Sequence, residues 1–203
     1  QTFIANGGTF INDKVKSINN KKDLIEIITE NKSINFDKIL VSAGIWSKEL
    51  AFSVGGKFPL ETERGYHVLF DNNKLVNRPI GWHRSGIYLV QIEEGLRAAG
   101  TVEIAGLSNK LNSSRIKMIE NESRKLLPNL GKIKSTWLGF RPTLPDSMPV
   151  IGMSVQNRNI YYSFGHQHIG WTLAAISGKI ITDLIQYRKT NINITPFAPS
   201  RFC

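Results

Sequence analysis

Arg141 sits in a Gly139-Phe140-Arg141-Pro142 run, read as a Gly-x-Arg-Pro turn in which the planar guanidinium offers two parallel N–H donors matched to a carboxylate. A structural salt bridge, for example to Asp146, is the plainer alternative. Further along, Gly165-His166-Gln167-His168-Ile169-Gly170-Trp171-Thr172 forms a glycine-flanked loop ahead of a helical repeat. The amides of such a loop and the helix N-terminus behind it present positive potential to whatever lies in front of them. An ordinary loop entering a core helix remains the other reading. His166 and His168 stand at i and i+2, but no third ligand has a plausible spacing, so no metal site is expected. No constellation suggests a strong general base.

The elements that must position these residues fall into three zones. Residues 1–47 carry short strands at 14–18, 24–29 and 38–43, with turns at Asn19-Asn20 and Asn31-Lys32-Ser33. Ile39-Leu40-Val41 is apolar on consecutive positions, which predicts a strand buried on both faces of a parallel sheet and ending at Ala43-Gly44. Residues 48–135 are richer in antiparallel signals: a strand at 66–70, then a hairpin of 86–91 and 96–102 turning at Glu93-Glu94-Gly95. In a regular strand Tyr66 and His67 point to opposite faces. A helix follows Asn112-Ser113-Ser114, carries Ile116, Ile119, Leu126 and Leu127 on one side, and ends at Pro128 and Gly131. Residues 136–189 hold the arginine run, the glycine-flanked loop and a final helix with Leu173, Ile176, Ile180, Ile181, Leu184 and Ile185 at helical spacing. The tail, 190–203, contains Pro196 and Pro199 without periodicity and is expected to pack poorly.

Bulk properties exclude several classes. The 203 residues are 41% hydrophobic, enough for a real core, and no apolar run is long enough to span a bilayer. The net charge of +10 raises nucleic acid or an anionic surface as a partner, but lysines and arginines are scattered, clustering only at Lys21-Lys22 and Arg188-Lys189, and no nucleic-acid motif accompanies them. A solvated basic surface is the expectation, with no nucleic acid partner. The one cysteine, Cys203, permits neither an intramolecular disulfide nor a cysteine metal cluster and points to a reducing cytoplasm.

Five segments in order resemble the C-terminal portion of the FAD-dependent D-amino-acid oxidase and dehydrogenase family, which includes glycine and sarcosine oxidases. They are Lys38 to Ser47, Thr62-Glu63-Arg64-Gly65-Tyr66-His67-Val68, Gly100-Thr101-Val102-Glu103, Leu138 to Asp146, and Gly165 to Trp171. The resemblance implies an α/β fold: a partial FAD-binding Rossmann-like domain (1–47 and 136–189) interleaved with an α+β substrate domain (48–135) built on an antiparallel sheet. It also implies FAD as cofactor, with Arg141 on the substrate carboxylate and Tyr66, His67 and His168 near the substrate. Gly165, His166, Gln167, His168, Ile169, Gly170, Trp171 and Thr172 would meet the flavin ring, while Ala43, Gly44 and the backbone of Val15 would approach the cofactor from the dinucleotide-binding side. The implied reaction, in amino-acid catabolism, is oxidation of a D-amino acid, glycine or N-methyl amino acid at the Cα–N bond by hydride transfer to flavin. The imine then hydrolyses to a 2-oxo acid and an amine or ammonia. The chain has no Gly-x-Gly-x-x-Gly turn for a pyrophosphate, since Gly7-Gly8 and Gly55-Gly56 do not supply it. It begins at Gln1 rather than methionine, so a fragment is expected, with an N-terminal half needed to complete the site. The alternative is a non-catalytic or partner-dependent subunit that retains the fold. Peripheral membrane association through a quinone acceptor stays open.

Overall fold

A computed structural model describes residues 2–21, 24–71 and 74–202, so Gln1, Lys22 and Cys203, on which expectations about the start, the charge and the redox compartment rest, lie outside the described residues. In chain order the elements are α1 (Thr2–Ala5), β1 (Val15–Asn20), β2 (Ile25–Thr29), β3 (Ser33–Phe36), β4 (Ile39–Val41), α2 (Ser47–Phe52), β5 (Glu61–Phe70) and β6 (Ile80–Trp82). Then come β7 (Ile87–Ile92), β8 (Gly95–Ile104), α3 (Ser113–Leu126), β9 (Ile133–Thr143), β10 (Val150–Met153), β11 (Ile160–Phe164) and α4 (Gly170–Ile185). They divide into two compact units, one of residues 1–60 and 144–203, the other of 61–143.

The first unit contains an antiparallel sheet β1-β2-β3 and a mixed sheet β10-β11-β4 in which β11 and β4 run parallel. The small core on the mixed sheet joins Ile151 and Tyr161 to Ile180 and Ile181 of α4, which is what the helical spacing of those isoleucines requires. Two expectations change here. Leu40 is exposed while Ile39 and Val41 are buried, because only one face of β4 is covered among the described residues. The tail also packs: Arg201 Nε meets Asp146 Oδ2 at 2.7 Å, Pro199 is buried beside Gly152, and Phe202 makes an edge contact with Phe58. Aromatic and proline contacts order it without any periodic pattern.

The second unit is a five-stranded antiparallel sheet, β6-β7-β8-β5-β9, with α3 on one face. Tyr66, Val68 and Phe70 of β5 join Ile87, Leu89, Leu96 and Ala98 beneath Ile119 of α3. Each valine, leucine, isoleucine or phenylalanine side chain so removed from water contributes roughly 1.5–3 kcal/mol. The boundary lies at 60/61 rather than 47/48, because α2 packs on β1 and β4 of the first unit. Likewise β9, expected with the final helix, pairs along its length with β5.

Helix α3 is tied to the sheet by a polar cluster. Asn112 caps the helix by accepting the Ser114 N–H at 3.1 Å, and its Nδ2 donates to Glu103 at 2.8 Å. The Tyr66 hydroxyl donates to the other Glu103 oxygen, and the Arg64 and Arg115 guanidinium groups lie 3.6 and 3.5 Å away. The Tyr66 bond, then Asn112, hold the Glu103 carboxyl below its ordinary value of 4.5. A carboxylate with a depressed folded value contributes its full stability above the unfolded value and loses it as pH falls through the folded one. Amide protection in α3 should therefore decline as pH drops below 4.5. Hydrogen exchange will show this decline in the wild type and a largely flat profile in Glu103→Gln.

Candidate functional site

In the second unit the site begins with a pair of glycines. Gly65 of β5 and Gly139 of β9 are direct partners, leaving a patch of bare backbone on the sheet face opposite α3. Onto it lie two flat groups. A Cβ at residue 65 would come within 2.3 Å of Arg141 Nη2, and one at residue 139 within 1.8 Å of the Trp137 indole, so only glycine admits either group. Trp137 in turn stacks on the imidazole of His67, with centroids 5.1 Å apart and planes at 14°.

Arg141 therefore stands on a strand and not in a turn, and Pro142 is tolerated because β9 is an edge strand. The proposed partner Asp146 is committed to Arg201. Among the described residues the Arg141 side chain has no ion pair or hydrogen bond, so its fork is available. Burial, aided by the charge of Arg97, lowers the His67 pKa and keeps the ring neutral at physiological pH. Tyr66 goes the other way: it is 1% exposed under α3, bound to Glu103, and is not brought together with Arg141 and His67. The alternation of one strand separates these neighbours.

In the first unit, β4 and the parallel β11 end side by side, with the Ser42 hydroxyl donating to the Ser163 carbonyl at 3.1 Å. The Ala43-Gly44 and Gly165-His166 backbones thus leave the same edge of the sheet, where open α/β sheets bind ligands. Gly165 takes φ +82°, and a Cβ there would strike Leu144 at 2.6 Å. A turn closes from the Ile169 N–H to the His166 carbonyl at 3.1 Å, with Gln167 at φ 52°. The His166 Nε2 lies 3.0 Å from the buried Ser177 hydroxyl two turns into α4, and burial lowers its pKa. That anchor was not legible in the sequence, since a serine inside a helical repeat carries no mark of its partner.

Helix α4 starts without a side-chain cap, so the N–H groups of its first turn are left to a ligand or solvent. His168, Ile169 and Thr172 are exposed, and Trp171 is 96% exposed. Val15 and Ala43 line one hollow of about 290 Å³ with Ile18, Leu40 and Ser42, while Gly44 follows at φ 58°. A group with negative charge at one end and an extended ring fits this donor set: an uncapped 16-residue helix preceded by a glycine that no other residue could replace. No cluster of metal-ligating side chains occurs among the described residues.

The chain is 37% identical to a D-amino-acid oxidase of Bradyrhizobium diazoefficiens over 98% of this chain and 49% of that protein. It is 32% identical to a D-amino acid dehydrogenase of Paramagnetospirillum magneticum over 87% of this chain and 43% of that one. The chain thus spans about half the length of the curated relatives it matches. In fold it resembles glycine oxidase from Geobacillus kaustophilus, with a TM-score of 0.86, 18% identity, and coverage of 95% of this chain and 53% of the other. L-proline dehydrogenase from P. horikoshii follows at 0.83, with 22% identity, 94% of this chain and 54% of the other. The family described as FAD dependent oxidoreductase (DAO) matches residues 1–184, and the chain belongs to it.

Proposed function

We propose that this chain supplies the substrate clamp and the flavin-ring loop of an FAD-dependent oxidoreductase that oxidises an amino acid at its Cα–N bond. The observation that carries the reading is the unpaired Arg141 guanidinium held flat on Gly65. Its two N–H donors take the substrate carboxylate bidentately, which fixes the orientation of the α-carbon. The neutral His67 ring, stacked on Trp137, sets a wall that accepts an uncharged amine without repelling a cation elsewhere. When bound, FAD supplies the acceptor for the two electrons and the hydrogen that leave Cα. The first-turn amides of α4 and the loop 165–172 hold its electron-rich end and favour negative charge there. Val15, Ala43 and Gly44 are assigned to the rest of the cofactor, and the pyrophosphate-binding turn is assigned to sequence outside these residues. His168, exposed on the loop, is the remaining candidate for contact with the substrate.

No helix among the described residues is long and apolar enough to cross a membrane. We place the reaction in the cytoplasm on the strength of the single cysteine, with oxygen or a membrane quinone as the final acceptor.

Anaerobic titration of the FAD-loaded protein with D-alanine, glycine and sarcosine should bleach the flavin absorbance with at least one of them, and a flavin that none of a wider amino-acid panel reduces would sink the reading. Readmitting air or a soluble quinone identifies the acceptor. Arg141→Lys should raise KM roughly 10–100-fold, because lysine cannot reproduce a charged bidentate contact. Gly65→Ala should raise KM to a similar extent with the flavin spectrum intact, since the added methyl evicts the guanidinium from its bed. Unchanged steady-state kinetics in both variants would return Arg141 to a structural role.

A further inference from the structure

The open face of the five-stranded sheet carries a second guanidinium. Arg97 of β8 is the partner of Leu69 on β5 and of Val90 on β7. Its neighbours Leu96 and Ala98 are in the core under α3, so alternation puts Arg97 on the face that holds His67, Trp137 and Arg141. The Arg97 Nε is buried and has no hydrogen-bond partner, and among the described residues the side chain has no ion pair. The acids of this face on β5, Glu61 and Glu63, stand opposite Thr143 and Arg141 at the far end of the strand and do not neutralise Arg97. Leaving a partly buried guanidinium without an anion is costly, and the cost is relieved when a carboxylate arrives.

Resting on the Arg141 clamp, we propose that Arg97 is a second anion-binding group of this face and that the amino acid held here ends its side chain in a carboxylate. The Arg141 guanidinium lies over Gly65 and Arg97 is level with Leu69, so the two levels are about 13 Å apart at ~3.3 Å per residue. The long stem of Arg97 gives its fork the reach to meet the second carboxylate of an amino dicarboxylate such as glutamate whose first is held by Arg141. The stacked His67 and Trp137 rings stand between the two forks as a wall for the intervening methylenes. The Arg97 charge already reaches His67, where it adds to burial in disfavouring the protonated ring. A single fork without a partner matches one carboxylate and sets specificity; it takes no part in the bond-breaking step.

The test separates this inference from the oxidoreductase reading. Calorimetric titration of the holoenzyme with glutarate and with butyrate compares two carboxylates with one and needs no turnover. Glutarate should bind at least about 10-fold more tightly, the value of one hydrogen-bonded charge pair. Arg97→Gln should bring the two ligands within about twofold of each other, and Arg97→Lys should keep part of the preference. Anaerobic flavin reduction should likewise favour glutamate over alanine of the same hand, about 10-fold in kcat/KM. Equal binding of glutarate and butyrate by the wild type overturns the inference, whether or not the variants fold, and leaves the clamp standing if alanine still reduces the flavin. A glutarate preference that Arg97→Gln erases, in a protein whose flavin no amino acid reduces, supports the anion site and sinks the oxidoreductase reading.

Discussion

Strand β5 has two faces and both are spoken for, and this constraint organises the second unit. Tyr66, Val68 and Phe70 meet the core under α3, and the alternate positions Gly65 and His67 must leave room on the other side. A slip of one residue would exchange the two sets, burying His67 under the helix and lifting Tyr66 away from Glu103. The register is held by long pairing with β9 and β8 and by the polar link from Tyr66 through Glu103 to Asn112. The chemistry of the open face is thus secured by packing on the closed one.

Bare backbone is the working surface of that open face. A guanidinium set on two β-carbons would stand up and swing, whereas one laid on glycine has fewer orientations to lose when it binds. The same holds for the indole over Gly139 and, through it, for His67. Glycine in a strand weakens the strand itself, and here the loss is offset by the core on the other side. The loop before α4 uses glycine differently, for a left-handed turn at Gly165 where Leu144 leaves no space for a methyl group.

Much of this was legible in the sequence because local chemistry and final structure agree. The hairpin at Glu93-Glu94-Gly95, the α3 start near Asn112 and the α4 repeat are patterns whose meaning does not depend on distant residues. What escaped depended on such residues. A Gly-x-Arg-Pro run looks like a turn until its partner strand is known, and the pairing with β5 makes it an edge strand. The tail lacks any period, so its ordering by Asp146, Gly152 and Phe58 could not be foreseen. Strand β3 has no counterpart in the sequence pattern, where only the turn at Asn31-Lys32-Ser33 is marked, because Ser33-Ile34-Asn35-Phe36 is short and mixed and becomes a strand only against β2. For Tyr66 and His67 the sequence required opposite faces but could not say which face was which.

The ends of the second unit meet: Glu61 opens β5, Thr143 closes β9, and the two are direct partners. A segment that enters and leaves through adjacent rungs of its own sheet is a closed topological insert. Such an arrangement lets substitution, lengthening or exchange of everything between those rungs proceed without altering where the chain must depart and return. A lineage built on it can rewrite which molecules it recognises as a cassette, while the machinery encoded on either side stays under separate selection.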